Sequence, residues 1–404
     1  MVVTRALEGT FLMSKFVSGR HFLQTPGPTN LPERVLRAMN RHAINHRGPE
    51  FGALGLEIVR KMRMVFQTSS ATIGIFPASG TGAWESALTN TLAAGDRILI
   101  SRTGQFSHLW EQMATRFGLD VVALETDWRR GADAAAIQLA LEQDTEHKIK
   151  AVCAVQCETS TACMTDIAAV RDAMNAAKHP ALLMVDAISS LGCADYQHDS
   201  WGVDVTIAGS QKGLMVPPGL SFTAISDKAL AVARAGGGRR SYWDWEPLVA
   251  SNKTGFFPYT PAMNLLYALN EALDMLAEEG LATTFARHAR YAQATRLAVA
   301  AWGLELQCQD SNAYAPGVTA IRVPEGHSAD KLRAVILEKF NMALGNGLGR
   351  MEDKVFRIGH MGDLGVLSFT GTLTGVEMGL RAAGIPHNEG GVQAAMNYLA
   401  TSNG

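Results

Sequence analysis

A chain of 404 residues is long enough for two domains and a large core, and its 36 basic and 38 acidic residues nearly cancel. With no block of one sign and no apolar run of membrane-spanning length, neither a nucleic-acid partner nor a membrane is expected. Five cysteines, Cys153, Cys157, Cys163, Cys193 and Cys308, form no CxxC pair and no cluster with histidine, so no metal is expected and a reduced, cytoplasmic protein is the simplest account. Residues 1–20 interleave Arg5, Glu8, Lys15 and Arg20 with apolar side chains, which interrupts any signal-peptide core and leaves Met13 as an alternative start.

The segment Leu23-Gln24-Thr25-Pro26-Gly27-Pro28 is extended, because its prolines fix φ and forbid regular helix. A helix follows over residues 32–41, then a turn at His46-Arg47-Gly48-Pro49. From 51 to 67, apolar residues at 51, 54, 58, 62 and 65 keep helical spacing, with Arg60, Lys61 and Arg63 on the other face. A strand over 72–76 runs into Pro77-Ala78-Ser79-Gly80-Thr81-Gly82, which opens a helix to about residue 93. Small residues at a helix start either cap it with a hydroxyl or leave N–H groups converging as a phosphate cradle. The segment is neither GxGxxG nor a P-loop.

Strands and helices then alternate. Strands are predicted at 97–101, 121–125, 149–155, 181–185, 203–208 and 220–225, with helices at 107–117, 134–142 and 166–177. Short apolar strands between amphipathic helices mean a mostly parallel, seven-stranded sheet covered on both faces. Ligands of such sheets sit beyond the carboxyl ends of the strands. The candidates there are Ser79 to Thr81, Phe106, Glu158 to Thr161, Asp186 and Gln211-Lys212. Residues 236–245 read as a mobile, aromatic-rich excursion, and 254–261 as a second irregular segment. Helices at 262–279 and 281–302 lead to an α+β unit with strands at 319–323, 342–345 and 355–358 and a helix at 329–340. The expected division is an extension over 1–24, a large α/β domain over 25–285 and a smaller α+β domain over 286–404.

Lys212 follows a β-branched strand and stands among apolar residues. It is either a surface lysine on a loop or one held covalently as a Schiff base. Asp186 at a strand end is, taken alone, an ordinary cap or loop residue. Together they answer a specific list. Pyridoxal 5′-phosphate requires a lysine for its aldehyde, a carboxylate at its ring nitrogen, a phosphate cradle and a flat group against the ring. Lys212, Asp186, Ser79-Gly80-Thr81 and Phe106 meet those four requirements.

The sequence resembles the class V, fold type I pyridoxal-phosphate aminotransferases, in particular the alanine–glyoxylate and serine–glyoxylate group. The resemblance runs from Gln24 onward and rests on Pro26-Gly27-Pro28, Ser79-Gly80-Thr81-Gly82, Val185-Asp186-Ala187-Ile188-Ser189-Ser190, Gly209-Ser210-Gln211-Lys212 and Phe356-Arg357-Ile358-Gly359-His360. It implies that Lys212 carries the cofactor and Asp186 faces its ring nitrogen. Ser79, Gly80, Thr81 and Gln211 would hold the phosphate, Phe106 would lie against the ring, and Thr159 would reach the ring hydroxyl. Arg357 would bind the substrate carboxylate, with Pro26 and Gly27 closing over it. The resemblance also implies a homodimer in which Tyr259 and Thr260 of one chain complete the partner's phosphate site. Phe257 stands where many relatives carry tyrosine, so Tyr259 is the expected substitute. The implied reaction moves an amino group from serine to glyoxylate, giving hydroxypyruvate and glycine. Alanine or aspartate is the alternative donor, and pyruvate the alternative acceptor.

Overall fold

The computed structural model describes residues 19–402. The alternative start at Met13 lies outside them, as does most of the expected N-terminal extension. Seven strands form the central sheet in the order Thr72–Phe76, Ser221–Ile225, Val205–Gly209, Leu182–Asp186, Ile149–Val155, Arg97–Arg102, Asp120–Glu125. Ser221–Ile225 runs antiparallel to both neighbours, and every other pairing is parallel. Along each inner strand, alternate side chains enter opposite cores. Leu183 and Val185 face one apolar cluster with Val152, Ala154 and Ala208. Leu182 and Met184 face the other, with Ala151, Cys153 and Ile207. This two-sided burial explains the unbroken apolar runs in the sequence.

A second sheet has the order Phe22–Gln24, Met342–Asn346, Val355–Gly359, Val318–Arg322, Glu305–Leu306. Its first strand comes from the other end of the chain and pairs in parallel, Phe22 opposite Met342 and Gln24 opposite Leu344. The 25–28 segment therefore leaves this small sheet directly beside Val355–Gly359. Two glycines make the approach possible. A Cβ on Gly359 would lie 2.2 Å from Thr25 O, and one on Gly345 2.7 Å from Pro26 Cδ. Helices Met263–Glu279 and Leu281–Trp302 meet at Gly280, whose φ of 81° suits glycine.

Residues 236–244 form no helix or strand, in line with the irregular excursion expected, but the aromatic end of the segment is anchored. Helix Asp227–Ala235 precedes them and helix Trp245–Asn252 follows. Trp245 is buried, its indole N–H bonded to Ser86 Oγ at 2.9 Å and its backbone N–H to Asn90 Oδ1 at 3.1 Å. Phe76, Tyr242, Trp243 and Tyr259 pack as one aromatic cluster beside it. Large rings with a satisfied polar edge anchor a segment that its glycines would otherwise leave free.

Candidate active site

Beyond the carboxyl ends of the large sheet lies a cavity of about 500 Å³ including its mouth, lined by Gly80, Phe106, Thr159, Asp186, Gln211 and Lys212 among others. Ser79 and Thr81 also line it. Ser79 stands at the N-cap of helix Gly80–Thr91, but its side chain caps no N–H. The N–H groups of Gly80 and Thr81, residues that line the cavity, have no intrahelical acceptor and stand at the positive end of the helix dipole, whereas Gly82 N already donates to Ser79 O at 2.9 Å. Gly80 lets the helix start pack directly on Ile188, since a Cβ would lie 2.3 Å from Ile188 Cδ1 and push that side chain aside. The side-chain amide oxygen of Gln211, on the same wall, is buried without a hydrogen-bond partner.

Asp186 ends strand Leu182–Asp186 and is 4% exposed. Its Oδ1 accepts from Ile188 N at 2.7 Å and its Oδ2 from Trp84 Nε1 at 3.0 Å. Burial pushes its carboxyl up from 3.8 to about 7, against the pull of those two donors. Lys212 is equally enclosed, and its Nζ donates to Pro26 O. Burial lowers its ammonium to about 8, and the nearby Arg357 charge adds to the shift. Gly27, at φ 95°, touches the lysine so closely that a Cβ would fall 2.4 to 2.6 Å from Lys212 Cδ, Nζ and Cε. The 26–28 segment thus covers the lysine, with the Pro26 carbonyl as its contact.

Phe106 is the second residue of helix Gln105–Arg116, which starts two residues before the predicted 107. Thr159 Oγ1 donates to Ser189 Oγ, and Thr159 O accepts from Arg357 Nη1 at 3.0 Å. Arg357, from the small sheet, also donates through Nε to Asn346 O at 2.8 Å. It lies behind Thr159 rather than among the residues lining the cavity. Among the described residues no carboxylate forms an ion pair with it, and burial brings its guanidinium down to about 10. A buried cation held only by carbonyls is ready for an incoming carboxylate.

Tyr259 and Thr260 are not in this cavity. They line a separate surface hollow of about 800 Å³ with His46, Arg47, Phe256, Phe257 and Pro258. The Tyr259 hydroxyl proton goes to Ile75 O, which weakens its case as a substitute phosphate donor. Reasoning from sequence missed Trp84, the indole that holds Asp186, and Ser189, the partner of Thr159. Trp84 sits on the first turns of the glycine-led helix, and Ser189 three residues past Asp186, so spacing from the recognised motifs was the available signal.

A profile of the family described as aminotransferase class-V matches residues 21–349. The chain belongs to the class V aminotransferases. It is 50% identical over 387 residues to a serine–glyoxylate aminotransferase of Methylorubrum extorquens, covering 94% of this chain and 96% of that one. It is 43% identical over 375 residues to an L-aspartate–glyoxylate aminotransferase of Paracoccus denitrificans, covering 92% and 94%. The crystal structure of a ureidoglycine–glyoxylate aminotransferase from Bacillus subtilis superposes with a TM-score of 0.87 at 27% identity, over 96% of this chain and all of that one. As an aminotransferase of this class, the protein works on amino and oxo acids. The seven-stranded, mostly parallel sheet is the fold type I architecture expected from the sequence.

Proposed function

We propose that this aminotransferase uses pyridoxal 5′-phosphate to transfer the amino group of serine to glyoxylate, giving hydroxypyruvate and glycine. The observation that carries the cofactor is one cavity that holds the Lys212 amine, the Asp186 carboxyl and the free N–H groups of helix Gly80–Thr91. The residues fit that group. Gln211 brings a side-chain amide to the cavity wall, whose NH₂ can donate to a phosphate, Gly80 lets the helix start lie close to that wall, and Asp186 awaits a cation. When bound, the cofactor supplies an aldehyde that exchanges amines and a protonated ring that withdraws electrons from the substrate.

The chain's own groups divide the remaining work. Asp186 is held at both oxygens by Ile188 N and Trp84 Nε1, so its charge stays at one place facing the ring nitrogen. A positive ring N–H would draw its carboxyl fully into the ionised form. Lys212 Nζ, whose ammonium burial brings down to about 8, moves the proton of the donor's α-carbon. Arg357, one layer behind the cavity wall at Thr159, would take the donor carboxylate through Nη2, the nitrogen left free while Thr159 O and Asn346 O hold Nη1 and Nε. Gly27 and Pro26 lie against Lys212 and shield that proton from water.

Serine as donor is supported by the Methylorubrum relative. The Paracoccus relative favours a second reading, aspartate as donor. Spectra of the purified enzyme, taken after adding serine, alanine or aspartate singly, separate these readings. Serine alone should bleach the visible band of the bound cofactor, and glyoxylate should restore it. A response to aspartate alone would give the activity to the second reading, and no cofactor band at all would end both.

We further propose a homodimer in which the hollow containing Tyr259, Thr260, His46 and Arg47 faces the partner's phosphate site. That hollow already gathers two basic residues and a hydroxyl. The cytoplasm is the proposed compartment, supported by five buried cysteines that form no disulfide. Among the described residues no helix is long and apolar enough to cross a membrane, and no cluster suited to a metal ion is present.

A further inference from the structure

Glu158 is fully buried and faces none of the substrate-bearing groups directly, yet its carboxylate is the most heavily hydrogen-bonded in the neighbourhood of the cavity. Oε2 accepts from Ser107 N at 3.0 Å, and both oxygens accept from Phe106 N at 3.2 Å. Oε1 also accepts from Ser160 N at 3.2 Å and from Ser160 Oγ at 2.6 Å. Ser160 Oγ in turn accepts from Gln105 N at 2.9 Å. The first three N–H groups of helix Gln105–Arg116 therefore end on a carboxylate and a hydroxyl from another part of the chain. Side chains from that helix itself do not reach them, because its N-cap is Gly104. Glycine there is no accident. A Cβ on Gly104 would lie 2.4 Å from Glu158 Cγ and 2.5 Å from Ser160 Oγ.

Two walls of the cavity meet at this carboxylate. Phe106, on the helix, forms one wall. Thr159, between Glu158 and Ser160, forms the other, and its carbonyl holds Arg357. We propose that Glu158 is a positioning residue that ties the helix bearing Phe106 to the turn bearing Thr159, and so fixes the ring-facing wall relative to the carboxylate-binding Arg357. The inference rests on the cofactor reading above and extends it to a group that touches neither cofactor nor substrate.

The carboxylate is specifically needed. At either terminal position a glutamine would present N–H groups to N–H donors, because Oε1 faces Ser160 and Phe106 while Oε2 faces Phe106 and Ser107. Glu158→Gln is thus nearly isosteric but leaves helix and turn opposed rather than joined.

The test uses holoenzyme of wild type, Glu158→Gln and Gly104→Ala, with three readouts: visible circular dichroism of the bound cofactor, its dissociation constant, and kcat and KM for serine. Both variants should alter the dichroism, weaken cofactor retention, and lower kcat/KM by about tenfold to a hundredfold, as a misplacement near 1 Å does. Unchanged dichroism, retention and kcat/KM in Glu158→Gln, with only a lower melting temperature, would overturn the proposal and leave the residue a plain helix cap. If that variant does not fold, Ser160→Ala reads the same link, and it should shift the dichroism with a loss of about threefold in kcat/KM. No shift in Ser160→Ala would overturn the proposal equally. Failure of the wild type itself to bind pyridoxal phosphate would instead defeat the underlying cofactor reading.

Discussion

Two aspartates on neighbouring strands of the large sheet sit at opposite ends of it. Asp186 closes strand Leu182–Asp186 at the carboxyl end, and Asp204 immediately precedes strand Val205–Gly209 at the amino end. Their exposures are 4% and 5%, so burial does not tell them apart. Their partners do. Asp204 Oδ2 accepts from Leu183 N at 2.8 Å and from Arg171 Nη2 at 3.1 Å, with Lys228 Nζ at 3.4 Å, while Oδ1 takes Ser226 Oγ at 3.2 Å. Two cations and a backbone donor saturate it. Asp186 has two neutral donors, no cation within ion-pairing distance, and a cavity beside it. A buried charge whose partners are incomplete, next to open space, marks where chemistry occurs; a saturated one holds the fold.

The largest effect that sharpens this contrast comes from Lys212→Ala. Removal of the only amine that lines the cavity among the described residues should lower kcat on the order of a thousandfold or more while the cofactor still binds through its phosphate. Steady-state rates and cofactor content of the purified variant measure both. Near-normal turnover would sink the assignment of the whole carboxyl end.

Asp186→Asn comes next, with a loss of roughly a hundredfold in kcat expected from an electrostatic group in the site. It also has a pH signature. The folded carboxyl titrates near 7 and the unfolded one at its ordinary 3.8, so between these values the folded protein holds a proton that the unfolded chain has released. Its contribution to stability is therefore complete below about pH 4 and is lost as the pH rises through 7. Without cofactor, wild type should lose stability relative to Asp186→Asn across that interval, measured by denaturant unfolding at a series of pH values. A difference independent of pH would show that the carboxyl is not held protonated by its surroundings. Arg357→Lys should act more narrowly. A lysine cannot keep Thr159 O, Asn346 O and a substrate carboxylate together, so KM for the amino donor should rise about tenfold, with kcat changed less.

Much of the carboxyl end was legible in the chain because its signals are local. Alternation of short apolar strands with amphipathic helices located all seven strands of the large sheet. Helices Leu281–Trp302 and Ala329–Phe340 coincide with the spans their periodicity predicts. What stayed hidden depends on contacts far apart in sequence. Phe22–Gln24 becomes a strand only because Met342–Asn346 offers it an edge more than 300 residues away. Helix Trp245–Asn252 forms where Asn90 and Ser86 receive Trp245. Within the site, Lys212, Asp186 and the glycine-led helix announce themselves by residue type. Trp84 does not, since an indole on a buried helix face reads as core until the Asp186 carboxylate is seen against it.

Asp204→Asn carries the comparison to its smallest effect on activity. Arg171 and Lys228 would each lose a charged acceptor, and Arg171 is the more enclosed of the two. An amide oxygen in the Oδ2 place would keep the Leu183 N–H and face both cations as a neutral acceptor, while its NH₂ would meet Ser226 Oγ in the Oδ1 place. A loss of about 1.5 to 3 kcal/mol in unfolding free energy follows from weakening hydrogen bonds to a charged group. Because the site lies beyond the other end of the sheet, kcat and KM per folded, cofactor-loaded subunit should stay within about twofold, as expected for well-separated positions. Denaturant midpoints and active-site-normalised rates test the two halves separately. If activity per loaded subunit fell as it does for Asp186→Asn, saturation of hydrogen bonds would not distinguish a structural carboxylate from a working one, and the criterion that separates the two ends of this sheet would fail.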